Sequence, residues 1–417
     1  MRSRSRVVIV GGGMAGARLA RALGAHGPDA PRVTVVAEER HPAYNRVLLA
    51  EVLAGHYPAE VIELPAVGPE VDWRGGTRVS RIDRERRLAH CDDGTRLPYD
   101  ALVLATGGNP VLPPLRGLTP PGGGELPDGV HAFRTLDDAV ALADEVTDGG
   151  PAVVVGGGLL GVSAARALAA RGARVVLAQQ GGSLMERQLD ASAAALLAEH
   201  LTARGVEIHT ECRVRALRTE QDGARRRVRA VELADGFPLD ADLVVLACGV
   251  RPRVGLAGDA GLTLGARGGI AVDDRLATSD PAVYAMGDCA EHAGLLYGLA
   301  GPAQDQADVL ASVLTGGSAR YSGTRALTRL TLPAATGGPL DLAAFGVTSA
   351  EPGDDEVRLT DATRGAYRKL VVRGDRLLGG ILVGDLASVG TLARAWEGDE
   401  PLPDTPLLHL LTHDGGL

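Results

Sequence analysis

Two glycine-rich turns carry the chemistry that can be recognised first in this sequence. Each has the spacing Gly-x-Gly-x-x-Gly, from Gly11 to Gly16 and from Gly156 to Gly161. The first glycine allows a tight bend, the second lets a pyrophosphate approach the backbone, and the third permits close packing of the next helix. The free N–H groups at the start of that helix favour phosphate oxygens. The residues assigned to the two dinucleotides are Gly11, Gly13, Met14, Ala15 and Gly16 in the first turn and Gly156, Gly158, Leu160 and Gly161 in the second.

An acidic residue backs the first turn but not the second. Glu38 lies 22 residues after Gly16, where a carboxylate can accept hydrogen bonds from both hydroxyls of a ribose. The alternative is an exposed acid that flanks a helix. The matching strand of the second unit ends Ala178-Gln179-Gln180, without a ribose carboxylate or an arginine for a 2′-phosphate. NADH versus NADPH is left open, with NADH favoured because no nearby cation replaces the acid.

The elements that must position these turns repeat at a spacing of 145 residues, from Gly11 to Gly156. Short apolar runs that end in glycine predict parallel strands buried on both faces. The predicted strands are residues 6–10, 33–37, 152–155 and 174–178, and the predicted helices are 14–23 and 159–170. Strand, turn, helix and strand in this order form a right-handed β-α-β unit.

The remaining pattern predicts the domain organisation. Further strands are expected at 78–82, 87–90, 99–105, 242–247, 341–346, 367–373 and 377–383, a Pro- and Gly-rich linker at 108–128 and a helix at 386–396. The predicted fold class is α/β, with two Rossmann-like dinucleotide-binding domains followed by a C-terminal α+β domain. The predicted boundaries are 1–125 and 246–323 for a discontinuous first domain, 126–245 for the second and 324–417 for the third.

Composition excludes several classes of protein. The 417 residues include 43 basic and 52 acidic ones, and the net charge of −9 argues against nucleic acid or an anionic membrane as the main partner. No run reaches the ~18 uninterrupted apolar residues that a membrane span needs. The basic N-terminus leads into a strand rather than a secretion signal, so a cytoplasmic protein is expected.

Cysteine and histidine spacings predict no disulfide and no metal site. The four cysteines, Cys91, Cys212, Cys248 and Cys289, form neither a disulfide framework nor a Cys-x-x-Cys pair. We interpret them as reduced, buried thiols. The ten histidines show no paired spacing of metal ligands.

Two further motifs resemble those of two-dinucleotide flavoprotein reductases, the glutathione-reductase-like flavoproteins. They are residues 99–107 (YDALVLATG) and 283–288 (VYAMGD). The resemblance implies FAD at the first glycine turn and NAD(P)H at the second. It implies that Asp288 binds the ribityl and pyrophosphate region, that Gly287 allows close approach, and that a helix starting at Pro302 points at the flavin. The assigned residues outside the glycine turns are Glu38, Arg46, Val79, Ala105, Thr106, Gly107, Gly249, Gly287, Asp288 and Gln306.

A narrower resemblance covers nearly the whole chain. Residues 41–47 (HPAYNRV), 184–190 (LMERQLD) and 289–292 (CAEH) resemble the FAD module of NAD(P)H-dependent assimilatory nitrite reductase large subunits and of nitrate reductase electron-transfer subunits. Residues 365–370 and 380–385 resemble the small domain that follows in those proteins. The resemblance places Arg46 along the FAD, and the alternative for Arg46 is a surface ion pair. No catalytic side chain is predicted, because the cofactors supply hydride transfer.

The sequence departs from related ferredoxin reductases at two positions. Glu51 stands where they carry a lysine, and Ser163 stands where they carry a glutamate. The usual Lys–Glu pair near the nicotinamide is therefore missing. Because the protein supplies alignment rather than chemistry, this loss threatens rate or nucleotide preference more than reaction type.

The sequence lacks ligands for an iron-sulfur cluster or a sirohaem, and this predicts a separate electron acceptor. Large nitrite reductases add cysteine-rich modules for an iron-sulfur cluster and a sirohaem, which four scattered cysteines cannot ligate. The leading hypothesis is an FAD-dependent NAD(P)H dehydrogenase whose partner is an iron-sulfur protein or a nitrate or nitrite reductase subunit. A ferredoxin or rubredoxin reductase serving a monooxygenase is the alternative enzyme. A non-catalytic nucleotide sensor or scaffold is the alternative of another class. From its position alone, we hypothesise that the C-terminal domain is the docking surface or the surface of a homodimer.

Overall fold

A computed structural model of the protein describes residues 4–27, 30–119, 124–223, 225–333, 338–402, 406 and 410–411. Part of the predicted linker, residues 120–123, lies outside this description. The chain forms two units. The first contains Met1–Leu49, Tyr57–Pro110 and Val250–Thr324, and the second contains Ala50–His56, Val111–Gly249 and Arg325–Leu417. The three predicted domain boundaries stay a prediction.

The first 110 residues begin with the strand, turn and helix expected from the glycine pattern. Four of the five residues of the first strand are buried, as a strand covered on both faces requires. The elements are β1 (Arg6–Val10), α1 (Met14–Gly24), β2 (Arg32–Ala37), α2 (Leu49–Leu53), β3 (Val71–Gly75), β4 (Val79–Asp83), β5 (Leu88–Cys91), β6 (Arg96–Pro98), β7 (Ala101–Leu104) and β8 (Gly108–Pro110). The strands β4, β5 and β6 form a small antiparallel sheet.

The next stretch repeats this arrangement in the second unit. Its elements are β9 (Val130–Ala132), α3 (Leu136–Glu145), β10 (Pro151–Val155), α4 (Leu159–Ala170), β11 (Arg174–Ala178), α5 (Ala191–Thr202), β12 (Val206–His209), β13 (Val214–Asp222), β14 (Arg225–Leu233), β15 (Pro238–Asp240) and β16 (Leu243–Leu246). A parallel sheet has the order β12-β11-β10-β16-β9. The helix α4 and the strand β11 have the predicted bounds.

The chain then adds a strand to the first sheet. Its elements are β17 (Val250–Pro252), α6 (Gly255–Asp259), β18 (Ile270–Val272), β19 (Val283–Ala285), β20 (Ala290–His292) and α7 (Ala300–Leu314). The first sheet is parallel in the order β19-β7-β1-β2-β3. The helix α7 starts two residues before Pro302, so this proline lies within its first turn rather than at its first position.

The last stretch forms an antiparallel sheet with a helix. Its elements are β21 (Leu327–Leu332), β22 (Leu340–Gly346), β23 (Asp355–Asp361), β24 (Ala366–Arg373), β25 (Arg376–Val383) and α8 (Val389–Gly398), and the sheet order is β21-β22-β25-β24-β23. The two edge strands were not predicted from the sequence. The whole architecture confirms the predicted fold class. Among the described residues, no helix has the length and apolar character needed to cross a membrane.

Candidate dinucleotide-binding sites

The first glycine turn leaves no room for side chains at its first and third glycines. A Cβ on Gly11 would lie 2.1 Å from the carbonyl oxygen of Ala105, and Gly11 has a φ of +120°. A Cβ on Gly16 would lie 2.0 Å from the carbonyl oxygen of Gly11. The bend and the close helix packing therefore require glycine at both positions.

The start of α1 is open to a ligand. Gly13 precedes the helix, and within the described chain no side chain caps the helix. A Cβ on Gly13 would meet only the Arg46 guanidinium, at 3.9 Å. By contrast, α3 closes its own N-terminus with a capping box between Thr135 and Asp138. The uncapped N–H groups of α1 and the space in front of them fit a pyrophosphate.

Two predicted motifs lie against this turn. The Ala105 carbonyl borders Gly11, and a Cβ on Gly287 would lie 3.8 Å from Cβ of Ala15. The backbone N–H of Gly287 donates to Oε1 of Gln306 at 2.7 Å. Gln306 is 1% exposed, so its side chain holds the Gly287 turn in place. The structure thus brings these predicted residues together within the first unit.

Glu38 directly follows β2, as predicted, and is held by a residue that sequence reasoning missed. Oε2 of Glu38 lies 2.5 Å from Nη1 of Arg253. The Arg253 carbonyl also accepts from the Thr106 hydroxyl at 2.7 Å, and its N–H donates to the Gly107 carbonyl at 2.9 Å. No local motif marks Arg253, because its partners are distant in sequence. Arg253 therefore orients both a predicted ribose acid and a predicted flavin-site turn.

Arg46 forms the ion pair of the alternative interpretation, and it lies beside the first glycine turn. Its guanidinium pairs with the Glu39 carboxylate and lies 4.9 Å from the ring centroid of Tyr44. The Tyr44 hydroxyl donates to the same carboxylate at 2.6 Å. The ion pair is half-buried and lies beside Gly13. This arrangement fixes the guanidinium near the open helix start.

Val79 and Asp288 differ in what they offer a ligand. The Val79 side chain is 6% exposed and belongs to the hydrophobic core that includes Tyr99 and Leu104. Only its main chain remains for the predicted contact. Asp288 lies in a short 3-10 turn, Gly287–Cys289, and is half-buried.

The second glycine turn repeats the first in detail. A Cβ on Gly156 would lie 2.5 Å from the Ala247 carbonyl oxygen, and one on Gly161 would lie 1.7 Å from the Gly156 carbonyl oxygen. A Cβ on Gly158 would meet nothing within 4 Å. Leu160 lies in the first turn of α4, and among described residues no side chain caps this helix. The second turn therefore also fits a pyrophosphate.

The duplication extends to a second motif that sequence reasoning did not recognise. Residues 247–249 (ACG) border Gly156 as residues 105–107 (ATG) border Gly11. The predicted residue Gly249 has a φ of +106° at the end of this turn. The repeated LAxG pattern at 104–107 and 246–249 was the available signal.

The cysteines near these turns are not activated nucleophiles. The four cysteines carry free thiols. Burial raises the pKa of both the Cys248 and the Cys289 thiol. Because the thiolate is the reactive form, both are poor nucleophiles at neutral pH.

Strand register identifies the counterpart of Glu38 in the second unit. The Val36 carbonyl accepts from Gly11 N at 2.9 Å, and the Ala178 carbonyl accepts from Gly156 N at 2.8 Å. Val36 and Ala178 are therefore equivalent, and two residues further on Glu38 corresponds to Gln180. The predicted absence of an acid at this position thus holds in the structure.

Glu51, which stands where related ferredoxin reductases carry a lysine, contacts two basic side chains that sequence reasoning did not identify. Oε1 of Glu51 lies 2.5 Å from Nη2 of Arg166, whose side chain is 4% exposed. Oε2 of Glu51 lies 2.7 Å from Nδ1 of His56. Arg166 lies on α4 one turn after Ser163, whose hydroxyl donates to the Leu159 carbonyl at 2.8 Å. The Lys–Glu pair of related ferredoxin reductases is replaced by an ion pair with Glu51 as the acid, which joins the segment Ala50–His56 to α4 within the second unit.

Two family models match the chain. A model described as pyridine nucleotide-disulphide oxidoreductase matches residues 5–307. A model described as the C-terminal domain of rubredoxin NAD+ reductase matches residues 339–398. Together they cover both glycine turns, four of the five strands of the antiparallel sheet in the last stretch, and α8.

Similar proteins include an NAD(P)H nitrite reductase, an assimilatory nitrate reductase electron transfer subunit and a putidaredoxin reductase. The chain is 32% identical to an NAD(P)H nitrite reductase of Bacillus subtilis (strain 168), over 98% of this chain and 49% of that protein. It is 33% identical to an assimilatory nitrate reductase electron transfer subunit of the same organism, over 92% of this chain and 48% of that protein. The chain thus spans about half the length of these curated relatives. Among solved structures, a covalent putidaredoxin reductase–putidaredoxin complex matches with a TM-score of 0.84 and 26% identity, over 99% of this chain and 97% of that chain.

Proposed function

Because this chain belongs to the pyridine nucleotide-disulphide oxidoreductase family, we propose that it passes electrons from NAD(P)H through FAD to a separate acceptor protein. The chain is an oxidoreductase that uses FAD and NAD(P)H. The observation that carries the proposal is the duplicated turn, in which Gly13 and Gly158 each precede an uncapped helix start within the described chain. With both cofactors bound, the nicotinamide would supply a hydride and the flavin would supply electrons for the acceptor.

The first unit supplies the residues that would hold FAD. The N–H groups at the start of α1 would bind the pyrophosphate, with the Arg46 guanidinium adding a positive charge beside Gly13. Glu38, oriented by Arg253, would accept hydrogen bonds from a ribose. Asp288 would hold the ribityl chain, and the first turn of α7 would point at the flavin.

The second unit supplies the residues that would hold NAD(P)H. The N–H groups at the start of α4 would bind its pyrophosphate, and the open space over Gly158 leaves room for it. We assign proton transfer to no side chain, because hydride transfer between two cofactors requires alignment rather than an acid or base. We infer that Cys248 beside this turn has no part in the chemistry, because its thiol stays protonated.

Nitrogen assimilation is the setting that we propose for this electron transfer. The support is the similarity to an NAD(P)H nitrite reductase and to an assimilatory nitrate reductase electron transfer subunit, which covers nearly all of this chain. The acceptor would be an iron-sulfur protein or a nitrate or nitrite reductase subunit, since four scattered cysteines do not provide a cluster site. The cytoplasmic location and the homodimer also stay proposals.

A ferredoxin-type acceptor is the second candidate. The putidaredoxin reductase in the covalent complex is matched over 97% of its length, whereas the nitrogen-assimilation relatives are matched over about half. Neighbouring genes separate the two, because nitrate reductase genes favour the first candidate and a cytochrome P450 gene favours the second.

An acceptor assay tests the proposal. The purified FAD-loaded protein is mixed with NADH and either a ferredoxin, with cytochrome c as the final readout, or nitrite alone. We expect cytochrome c reduction that depends on the ferredoxin, and no nitrite consumption. Nitrite consumption by this chain without another protein would contradict the proposal.

A further inference from the structure

The second unit lacks an acid at the position where the first unit carries Glu38. Strand register places Gln180 there, and its exposed amide carries no charge. An amide can accept a hydrogen bond from a ribose hydroxyl, but it cannot repel a 2′-phosphate. Gln180 alone therefore gives the site no means of distinguishing the two nicotinamide dinucleotides.

The preceding residue, Gln179, already forms a hydrogen bond with the glycine turn. Oε1 of Gln179 accepts from the backbone N–H of Gly157 at 2.8 Å. This contact holds the Gln179 side chain on the glycine turn. The side-chain nitrogen of Gln179 lies beside Gly181, since a Cβ on Gly181 would lie 2.8 Å from Nε2 of Gln179.

A carboxylate from later in the chain also lies beside Gly181. A Cβ on Gly181 would lie only 1.9 Å from Oε2 of Glu186. The Glu186 carboxylate therefore lies over the backbone immediately after Gln180, and its residue is exposed. Any side chain at position 181 would occupy the space that the carboxylate now fills.

The turn that presents Glu186 is fixed to the glycine turn. The N–H of Met185 donates to the Gly157 carbonyl at 2.9 Å, and the Met185 side chain is 1% exposed. Met185 has a φ of +50°, a left-handed conformation that non-glycine residues rarely adopt. Such strain persists only where surrounding contacts fix it, and it concentrates at ligand sites. The buried methionine thus orients the acid that follows it.

We propose that Glu186 is the ribose-binding acid of the nicotinamide dinucleotide site and that it selects NADH over NADPH. Its carboxylate accepts hydrogen bonds from the ribose hydroxyls and repels a 2′-phosphate. The acid reaches this place from the loop after β11 rather than from the end of the strand. This inference rests on the proposed function, because it assigns a residue to the nicotinamide site of the second glycine turn.

Titration calorimetry on the FAD-loaded protein tests the assignment without turnover. NAD+ and NADP+ are titrated into the wild type, into Glu186→Gln and into Glu199→Gln, an exposed acid of α5 that serves as the charge-matched control. We expect the wild type to bind NAD+ more tightly than NADP+. Glu186→Gln should weaken NAD+ binding about tenfold, the loss of one charge-assisted hydrogen bond, and leave NADP+ binding unchanged or tighter. Glu199→Gln should change neither.

Three results would overturn the assignment. An unchanged dissociation constant for NAD+ in Glu186→Gln removes the proposed contact, and equal weakening of both nucleotides indicates a damaged turn. Tighter binding of NADP+ than of NAD+ by the wild type would instead favour the adjacent exposed Arg187 as a 2′-phosphate ligand. In each case nucleotide binding persists and the proposed function survives. Wild-type protein that binds neither nucleotide would contradict the proposed function itself.

Discussion

Arg166 is a buried cation, and the Glu51 carboxylate balances its charge at a distance of 2.5 Å. Removing one partner of a buried pair leaves the other charge uncompensated, whereas replacing both with apolar groups is often tolerated. We therefore expect Glu51→Ala to lower the free energy of unfolding by about 3 kcal/mol. The double variant Glu51→Ala/Arg166→Met should recover most of that loss.

Urea unfolding measures both variants, with Glu199→Ala as the control at an exposed acid. Additive losses in the double variant would show that the two charges do not stabilise one another. His56, which also contacts Glu51, can be changed separately in the same series.

Gly158 offers a second test at the scale of one residue. A Cβ there meets nothing within 4 Å, so Gly158→Ala should fold with a change in stability of less than about 1 kcal/mol. The added methyl group would project in front of the start of α4, where the proposed pyrophosphate approaches. We expect at least about a tenfold loss of NAD+ affinity, since the backbone contacts to the phosphates would be disrupted.

Calorimetry and the FAD content of the purified variant are the readouts. Gly390→Ala is the matched control, because its Cβ also has open space but lies on α8. Unaltered NAD+ affinity in Gly158→Ala would place the nucleotide elsewhere. FAD content should be normal in both variants.

At the scale of elements, Asp190 joins α5 to β24. Its carboxylate caps α5 by accepting from Ala193 N at 3.0 Å, accepts from the Tyr367 hydroxyl at 2.6 Å and lies 3.3 Å from Nζ of the buried Lys369. Burial alone would raise the pKa of Asp190, but the hydrogen bonds from Tyr367, Ala193 and Lys369 together lower it. The ionised carboxylate is therefore the form that stabilises the fold.

Asp190→Ala should lower the free energy of unfolding by about 3 kcal/mol at neutral pH, since a helix cap and charge-assisted hydrogen bonds are lost. Because the folded pKa lies below the unfolded value of about 3.9, the contribution is complete above that pH and disappears as the pH falls through the folded pKa. The difference between wild type and variant should shrink on acidification below about pH 4. A difference that stays constant from pH 7 to pH 3 would contradict this account.

Elements with a strong local pattern could be predicted from the sequence, and contacts between distant residues could not. The bounds of α4 and β11 followed from a buried apolar run, a glycine turn and a terminal glycine. The strand β23 was missed because it is an edge strand without a fully buried residue, and its alternation depends on only two apolar residues, Val357 and Leu359. Glu38 could be assigned from its spacing, but its partner Arg253 could not, since only the fold brings them together.

At the scale of the whole molecule, the family name includes disulphide chemistry that this chain does not support. The pKa of all four thiols is raised, mainly by burial. We expect iodoacetamide at pH 7 to leave NADH-dependent acceptor reduction unchanged, because the protonated thiol reacts slowly. The four cysteines should become reactive after unfolding in urea, which is the control. Rapid inactivation of the native protein would reveal a thiol that takes part in the reaction.

We propose that the two glycine turns hold FAD and a nicotinamide dinucleotide, which together would deliver electrons to a separate acceptor. Anaerobic stopped-flow mixing of the purified yellow protein with NADH, and separately with NADPH, tests it most directly. We expect the visible flavin absorbance to be lost with NADH, to be lost more slowly with NADPH, and to return when an acceptor is added. Flavin that stays oxidised with both nucleotides would contradict it.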